Sequence, residues 1–309
     1  MAPRRRSAGV RPIRQGVVVK VVVTGASGHL GRATVLGLRA RGHEVIGCSR
    51  ADLDLRQDRS VMDLASRLDG ATAVVHLAAL HPPSTASTTA RDRRDLLETN
   101  VLGTMRVLDA ARKGIAAFVY ASSFEVYGVP LSNPIDEQHR THPLTDYGAT
   151  KLAGEDHALA FGHEQQTRVV CLRMPAIYGP GEHTPRALPL FLQSVLRGEI
   201  PSIQGDGEDL RDELYIEDAA RAIAAALLSK CHGIFNVADG EAHSIAEIAR
   251  TAMRVAEMEG DVRFLQRTKP RLDYHMNIER ARRELGFSPE VSLERGMAAQ
   301  YAYLRGAGP

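Results

Sequence analysis

The chain has 309 residues, 44% apolar and 25% charged, an ordinary globular balance that suffices for one large or two modest domains. Its net charge is +2, of which +5 sits on Arg4, Arg5, Arg6, Arg11 and Arg14, leaving −3 for everything after residue 16; a mildly acidic body argues against a nucleic-acid binder. No apolar run approaches the about 18 residues of a membrane helix, and no signal-peptide core is present.

Residues 1–16 mix Arg, Pro and Gly without periodicity and are expected to be a disordered basic tail. VVVKVVV (17–23) is β-branched and reads as the first strand. TGASGHLG (24–31) follows it and opens a helical stretch to Arg41. HEVIGC (43–48) is a second strand, 59–68 a helix, and ATAVVHLAA (71–79) a third strand. Apolar spacing predicts one helix over 94–113, a strand at FVYASS (118–123), a helix over 146–164 and a strand at RVVCLRM (168–174). Strands of continuous apolar residues alternating with helices imply βαβ units and a parallel sheet covered on both faces. This is an α/β, Rossmann-like, doubly wound domain over 17–174, with a return segment near 210–239. Residues 175–209 and 240–309, rich in Pro and Gly at first and then helical, read as a smaller, mostly helical substrate lobe. IEDAARAIAAALLSK (216–230) is a helix, IFNVA (234–238) a strand, and Ser244 with Glu247 has the spacing of a capping box at the start of a helix over 244–258. Cys48, Cys171 and Cys231 lie far apart, without a CxxC, as expected of reduced thiols in a cytoplasmic protein. No metal site is expected.

The glycine turn carries the first functional signal. Gly25 permits a tight turn, Gly28 lets the backbone approach a pyrophosphate, and Gly31 allows close packing of helix on strand. The helix N-terminus then offers N–H groups and a partial positive charge to an anion. The second signal is DYGATKLAGE (146–155), with Tyr147 four residues before Lys151. Residues at that spacing share a helix face, so both side chains reach one ligand.

With TNVLGT (99–104), YASSFEVYG (120–128), YGATK (147–151), LRMPAIYGPG (172–181) and GDGEDLRDELYIEDAARA (205–222), the sequence resembles the extended short-chain dehydrogenase/reductases, in their branch of nucleotide-sugar epimerases, dehydratases and reductases. The resemblance implies Ser123, Tyr147 and Lys151 as catalytic residues. It places Gly25, Ser27, Gly28, His29, Leu30, Gly31, Asp54, Leu55, Leu77, Ala78, Ala79, Asn100 and Pro175 beside a dinucleotide, with Tyr147 and Lys151 at its nicotinamide ribose. The ammonium and the positive nicotinamide are then expected to draw the tyrosine's pKa down toward neutrality. The second strand ends in Ser49 and Arg50, where NAD-using members carry an acid, so NADP(H) is expected ahead of NAD(H). Dehydratases carry Thr-Asp-Glu where this chain has Ser123-Phe124-Glu125, and phenylalanine donates no proton. Glu125 is a second acid/base, a ligand of a substrate hydroxyl, or a strand-end acid facing solvent. Arg211 and Arg271 match arginines that clasp a nucleotide diphosphate, although salt bridges with Asp212 and Asp273 are the alternative. Ala176 replaces an asparagine that touches the substrate phosphate, which admits another small carbonyl or alcohol as substrate.

The expected activity is thus NADPH-dependent reduction of a 4-keto nucleotide sugar. The alternatives are 4-epimerisation of a nucleotide sugar, reduction of a non-nucleotide molecule, and dinucleotide sensing without catalysis. By family analogy the protein is expected to form a homodimer through the helices at 94–113 and 146–164, with no nucleic-acid or membrane partner.

Overall fold

The computed structural model describes residues 18–82, 89–112, 114–182 and 184–307. The basic tail and Val17 lie outside the described residues. The chain runs β1 (Lys20–Thr24), α1 (His29–Ala40), β2 (Glu44–Cys48), α2 (Arg59–Arg67), β3 (Ala73–His76), α3 (Ala90–Leu96), α4 (Gly103–Ala111), β4 (Ala117–Ser123), α5 (Asp146–Gln165) and β5 (Arg168–Met174). It continues through β6 (Ala176–Tyr178), α6 (Ala187–Leu196), β7 (Ser202–Gln204), β8 (Leu210–Arg211), β9 (Glu213–Tyr215) and α7 (Ile216–Leu228). Last come β10 (Gly233–Asn236), β11 (His243–Ser244), α8 (Ile245–Val255), β12 (Arg263–Leu265) and α9 (Leu293–Ala302).

The main sheet has six strands in the order β10-β5-β4-β3-β1-β2, every neighbouring pair parallel. Successive residues of each strand point to opposite faces. Val21 and Val23 join a core with Leu38 of α1 and Ile223 and Leu227 of α7, while Val22 joins Leu64 of α2, Leu108 of α4 and Phe161 of α5 on the other. Burial on both faces is the reason the strands carry unbroken apolar runs. The chain leaves β1 toward β2 and returns past it to β3, so the strand order reverses between β1 and β3; a crevice at such a switch point is where open α/β sheets bind ligands.

The helix expected over 94–113 begins earlier, at Ala90, capped by the Thr89 hydroxyl, and is interrupted by a π-helical segment, Leu97–Leu102. The reason lies in Asn100, which the wider turn carries into the interior. Its amide binds Leu80 N–H (2.7 Å), Leu80 C=O (2.9 Å) and the Thr150 hydroxyl (3.0 Å). The C-terminal lobe buries Leu188 and Leu192 of α6, Ile248, Ala252 and Met253 of α8 and Met297 of α9 in a third core. It also contains short two-stranded pairs, β7 with β12 and β8 with β11. Ser244 caps α8 by accepting from Glu247 N–H (3.1 Å), but the Glu247 carboxylate turns to His243 (3.0 Å) rather than back to the cap, so half of the expected box is made. Among the described residues no helix is long and apolar enough to cross a membrane, and the three cysteines are free thiols.

Candidate active site

The glycine turn leaves β1 at the crevice. Gly25 has φ +70°, and a Cβ there would stand 2.6 Å from Ala78 N; a Cβ on Gly31 would stand 2.0 Å from Gly25 O. Neither position admits a side chain without moving backbone. Gly28 precedes α1, no side chain caps the helix, and its first turn holds no acid. The leading N–H groups are therefore left for an anion. Beside them lies a cleft of about 260 Å³ lined by Gly25, Ser27, Gly28, Ser49, Arg50, Asp54, Leu55, Leu77, Ala78 and Ala79. A narrow glycine floor, an open helix N-terminus and apolar walls fit a dinucleotide. Asp54 is held at about 2 by the Arg56 guanidinium, which grips both its oxygens (2.9 and 2.7 Å). Asn100 stands behind this cleft, tying the β3 exit to α5, and does not line it.

The cleft shares Leu77 and Ala79 with a second cavity, of about 230 Å³, where Ser123, Glu125, Tyr147, Lys151, His29, Leu30 and Pro175 come together. Ser123 ends β4 and caps the 3₁₀ turn Phe124–Tyr127 by accepting from Glu125 N–H (3.2 Å). Thr145 caps α5: its hydroxyl accepts from Gly148 N–H (2.9 Å) and donates to Glu125 Oε2 (2.6 Å). One residue therefore sets both the start of the helix bearing Tyr147 and Lys151 and the direction of the Glu125 carboxylate. Glu125 does not face open solvent. Burial pushes its carboxyl up, but the Thr145 hydroxyl that donates to it and the His81 and Arg186 side chains near it outweigh this and hold it below the usual glutamate value, ionised at neutral pH.

Burial lowers Lys151 to about 8 against the opposing charge of Glu155, and its ammonium lies 4.3 Å from the centre of the Tyr120 ring. Tyr147 departs from expectation. Burial and then the Glu125 charge push its phenol well above the ordinary tyrosine value, against smaller opposing effects of Arg186 and a Ser123 hydrogen bond. The chain's own groups hold this phenol protonated, so the fall toward neutrality expected from Lys151 is not supplied by the protein alone.

Two neighbours escaped the sequence reading. The His81 ring lies against Tyr147 with centroids 4.6 Å apart, and its Nε2 is 3.9 Å from Glu125 Oε1. Arg186, ion-paired with Glu182, lines the same cavity. The only signal in the sequence was a histidine and an arginine just outside the recognised motifs. Phe124 packs edge-on against Tyr274 (4.9 Å) and also borders the cavity.

Arg211 borders a separate groove of about 990 Å³, together with Lys269, Arg263 and Arg267. It makes no ion pair with Asp212; its guanidinium donates to the Leu210 (2.7 Å) and Leu272 carbonyls. Arg271 is exposed, pairs with Asp273 (2.9 Å) and is not part of the groove lining, although its neighbours Pro270 and Leu272 are. Ala176 is half-buried between the cavity residues Pro175 and Ile177 without lining the cavity itself.

A phosphate-binding turn at the switch point, with a serine, tyrosine and lysine gathered one step away, defines a dinucleotide-dependent enzyme of hydride chemistry. The chain belongs to the NAD dependent epimerase/dehydratase family, whose model matches residues 21–238. It is 32% identical over 267 residues to the dTDP-glucose 4,6-dehydratase of Streptomyces griseus, covering 85% of this chain and 79% of that one. Among solved structures it resembles MoeE5 in complex with UDP-glucuronic acid and NAD (30% identity, TM-score 0.81, 93% of this chain and 99% of that chain). It also resembles the UDP-glucuronic acid 4-epimerase of Bacillus cereus in complex with UDP-glucuronic acid and NAD (26% identity, TM-score 0.80, the same shares of each chain).

Proposed function

We propose that this protein is a nucleotide-sugar 4-epimerase. The observation that carries the reading is the cavity in which Ser123, Tyr147 and Lys151 meet Glu125 while Phe124 occupies the place of a dehydratase acid. A bound nicotinamide supplies the hydride acceptor and donor. Tyr147 exchanges a proton with the sugar's 4-oxygen, Ser123 hydrogen-bonds the same oxygen, and Lys151 binds the ribose and favours the phenolate. Glu125, ionised, accepts a bond from a neighbouring hydroxyl and is not a donor for the loss of water. Similarity to a UDP-glucuronic acid 4-epimerase and to a dTDP-glucose 4,6-dehydratase supports chemistry without net reduction of the sugar, and Phe124 favours epimerisation of the two. UDP-glucose or UDP-glucuronic acid, incubated with the enzyme and no added reductant, is expected to give its 4-epimer by NMR. Steady loss of NADPH absorbance with a 4-keto nucleotide sugar, and no epimer, would establish the reductase instead.

For the dinucleotide we propose tolerance of a 2′-phosphate. Asp52 is turned into its own loop by the Ser49 hydroxyl (2.5 Å) and N–H (2.9 Å), Asp54 is held by Arg56, and Arg50 borders the cleft. A guanidinium bond to a phosphate contributes about 1.5–3 kcal/mol. Arg50→Ala is accordingly expected to weaken NADPH binding about tenfold or more, with NADH unchanged in the same fluorescence titration. Equal loss for both would place Arg50 outside the recognition of that phosphate.

A further inference from the structure

Beyond β3, the Asn100 amide holds Leu80 at both its N–H (2.7 Å) and its C=O (2.9 Å). The next residue, His81, precedes the buried Pro82, whose ring confines the backbone before it to extended conformations. Pinned on one side and restricted on the other, His81 is delivered to the catalytic cavity. Its ring lies against Tyr147, and its side chain is 40% exposed to an incoming ligand. The partner of each ring nitrogen fixes its chemistry. Nδ1 is 2.8 Å from the Pro82 carbonyl, which can only accept, so Nδ1 carries a proton. In the charged ring the second proton is therefore on Nε2. That atom stands 3.9 Å from Glu125 Oε1, beyond the about 2.7–3.2 Å of a direct hydrogen bond. The other carboxylate oxygen, Oε2, takes the Thr145 hydroxyl (2.6 Å). A donor and an acceptor thus face one cavity across a gap that a single oxygen atom closes from the side. A hydroxyl placed there accepts from Nε2–H and gives its own proton to Oε1.

We propose that His81 is a specificity-determining residue, which together with Glu125 clamps the 3-hydroxyl of the sugar while C4 reacts. Glu125 N–H is bonded to the Ser123 hydroxyl (3.2 Å) and the His81 ring rests on Tyr147, so the gap lies beside the two oxygens assigned to the sugar's 4-oxygen. Of the two ring carbons next to C4 in glucose, only C3 carries a hydroxyl. The assignment rests on the nucleotide-sugar reading above and adds a requirement to it, a free hydroxyl at C3. A 3-deoxy sugar leaves the donor and the anion without their shared partner, and a 3-O-substituted sugar brings no proton to Glu125.

The test is calorimetric titration of UDP-glucose and UDP-3-deoxyglucose into the full chain saturated with NAD⁺, in the Tyr147→Phe background so that turnover does not disturb the binding heat. With His81 in place, UDP-glucose is expected to bind about tenfold or more tighter than the 3-deoxy analogue. His81→Phe keeps a ring against residue 147 and removes the donor. It is expected to lose about tenfold on UDP-glucose and to bind the two sugars alike, the non-additivity that marks a direct contact. His81→Ala, a second variant without a donor, is expected to show the same lost preference. His81→Gln, whose amide restores an N–H, is expected to recover part of the preference. Retention of the full preference in His81→Phe or His81→Ala, equal weakening of both sugars, or equal binding of both by the parent overturns the proposal and leaves the substrate reading intact. Failure of UDP-glucose and UDP-glucuronic acid to bind the parent overturns the substrate reading and this proposal with it.

Discussion

Replacing Tyr147 by phenylalanine is expected to lower kcat by about 10²–10⁴-fold, the usual contribution of a placed acid–base group. The ring that packs on His81 remains, and only the oxygen near Ser123 is lost. Dinucleotide affinity, measured by fluorescence, is expected to change little, because the cleft floor is made of Gly25, Gly28 and the first turn of α1. A variant that turned over sugar at the wild-type rate would remove the phenol from the chemistry. The pH profile adds an independent check. Lys151, lowered to about 8, carries its charge below that pH and loses it above. The kcat/KM of the free enzyme is therefore expected to decline on the alkaline side, where the charge that favours the phenolate disappears.

Glu155→Ala is expected to be the most destabilising single change, with a loss of about 3–5 kcal/mol in urea unfolding. Glu155 and Arg173 are 1% and 3% exposed and meet at 2.7 Å, with a second contact at 3.0 Å and the Ser122 hydroxyl on the same carboxylate. Removing the acid strands a buried guanidinium whose Nη1 already lacks a partner. A double variant, Glu155→Leu with Arg173→Met, is expected to recover much of the loss, since an apolar pair of similar volume escapes the cost of desolvating two charges. If Glu155→Ala unfolds at the wild-type urea concentration, the pair contributes nothing to stability.

The parts legible in the sequence share one property: they are local. The strand at RVVCLRM, the glycine turn and the four-residue spacing of Tyr147 and Lys151 are each written in consecutive residues, and the helix and sheet periods translate them directly into faces. What escaped depends on contacts between distant segments. Asn100 reads as a cleft residue until the π-helical segment carries it to Leu80 and Thr150. Arg271 reads either as a phosphate ligand or as a partner of Asp273, and only the folded chain shows that the pair with Asp273 forms while the expected pair of Arg211 with Asp212 does not. His81 and Arg186 acquire meaning only when the ends of β3 and β4 and the starts of α5 and α6 converge. The upward pressure on Tyr147 from the protein alone was illegible for the same reason: a nearby ammonium is visible in the sequence, whereas burial and the Glu125 charge are not.

The Thr145 hydroxyl has a single proton, and it is committed to Glu125 while the oxygen receives Gly148 N–H. Protonating Glu125 would weaken the acceptor that fixes this rotor, and the first turn of α5 would loosen along with it. The aim of the phenol at its substrate is thus hostage to the ionisation of a carboxylate twenty residues earlier in the chain, which makes acidity a mechanical variable of the site as well as a chemical one.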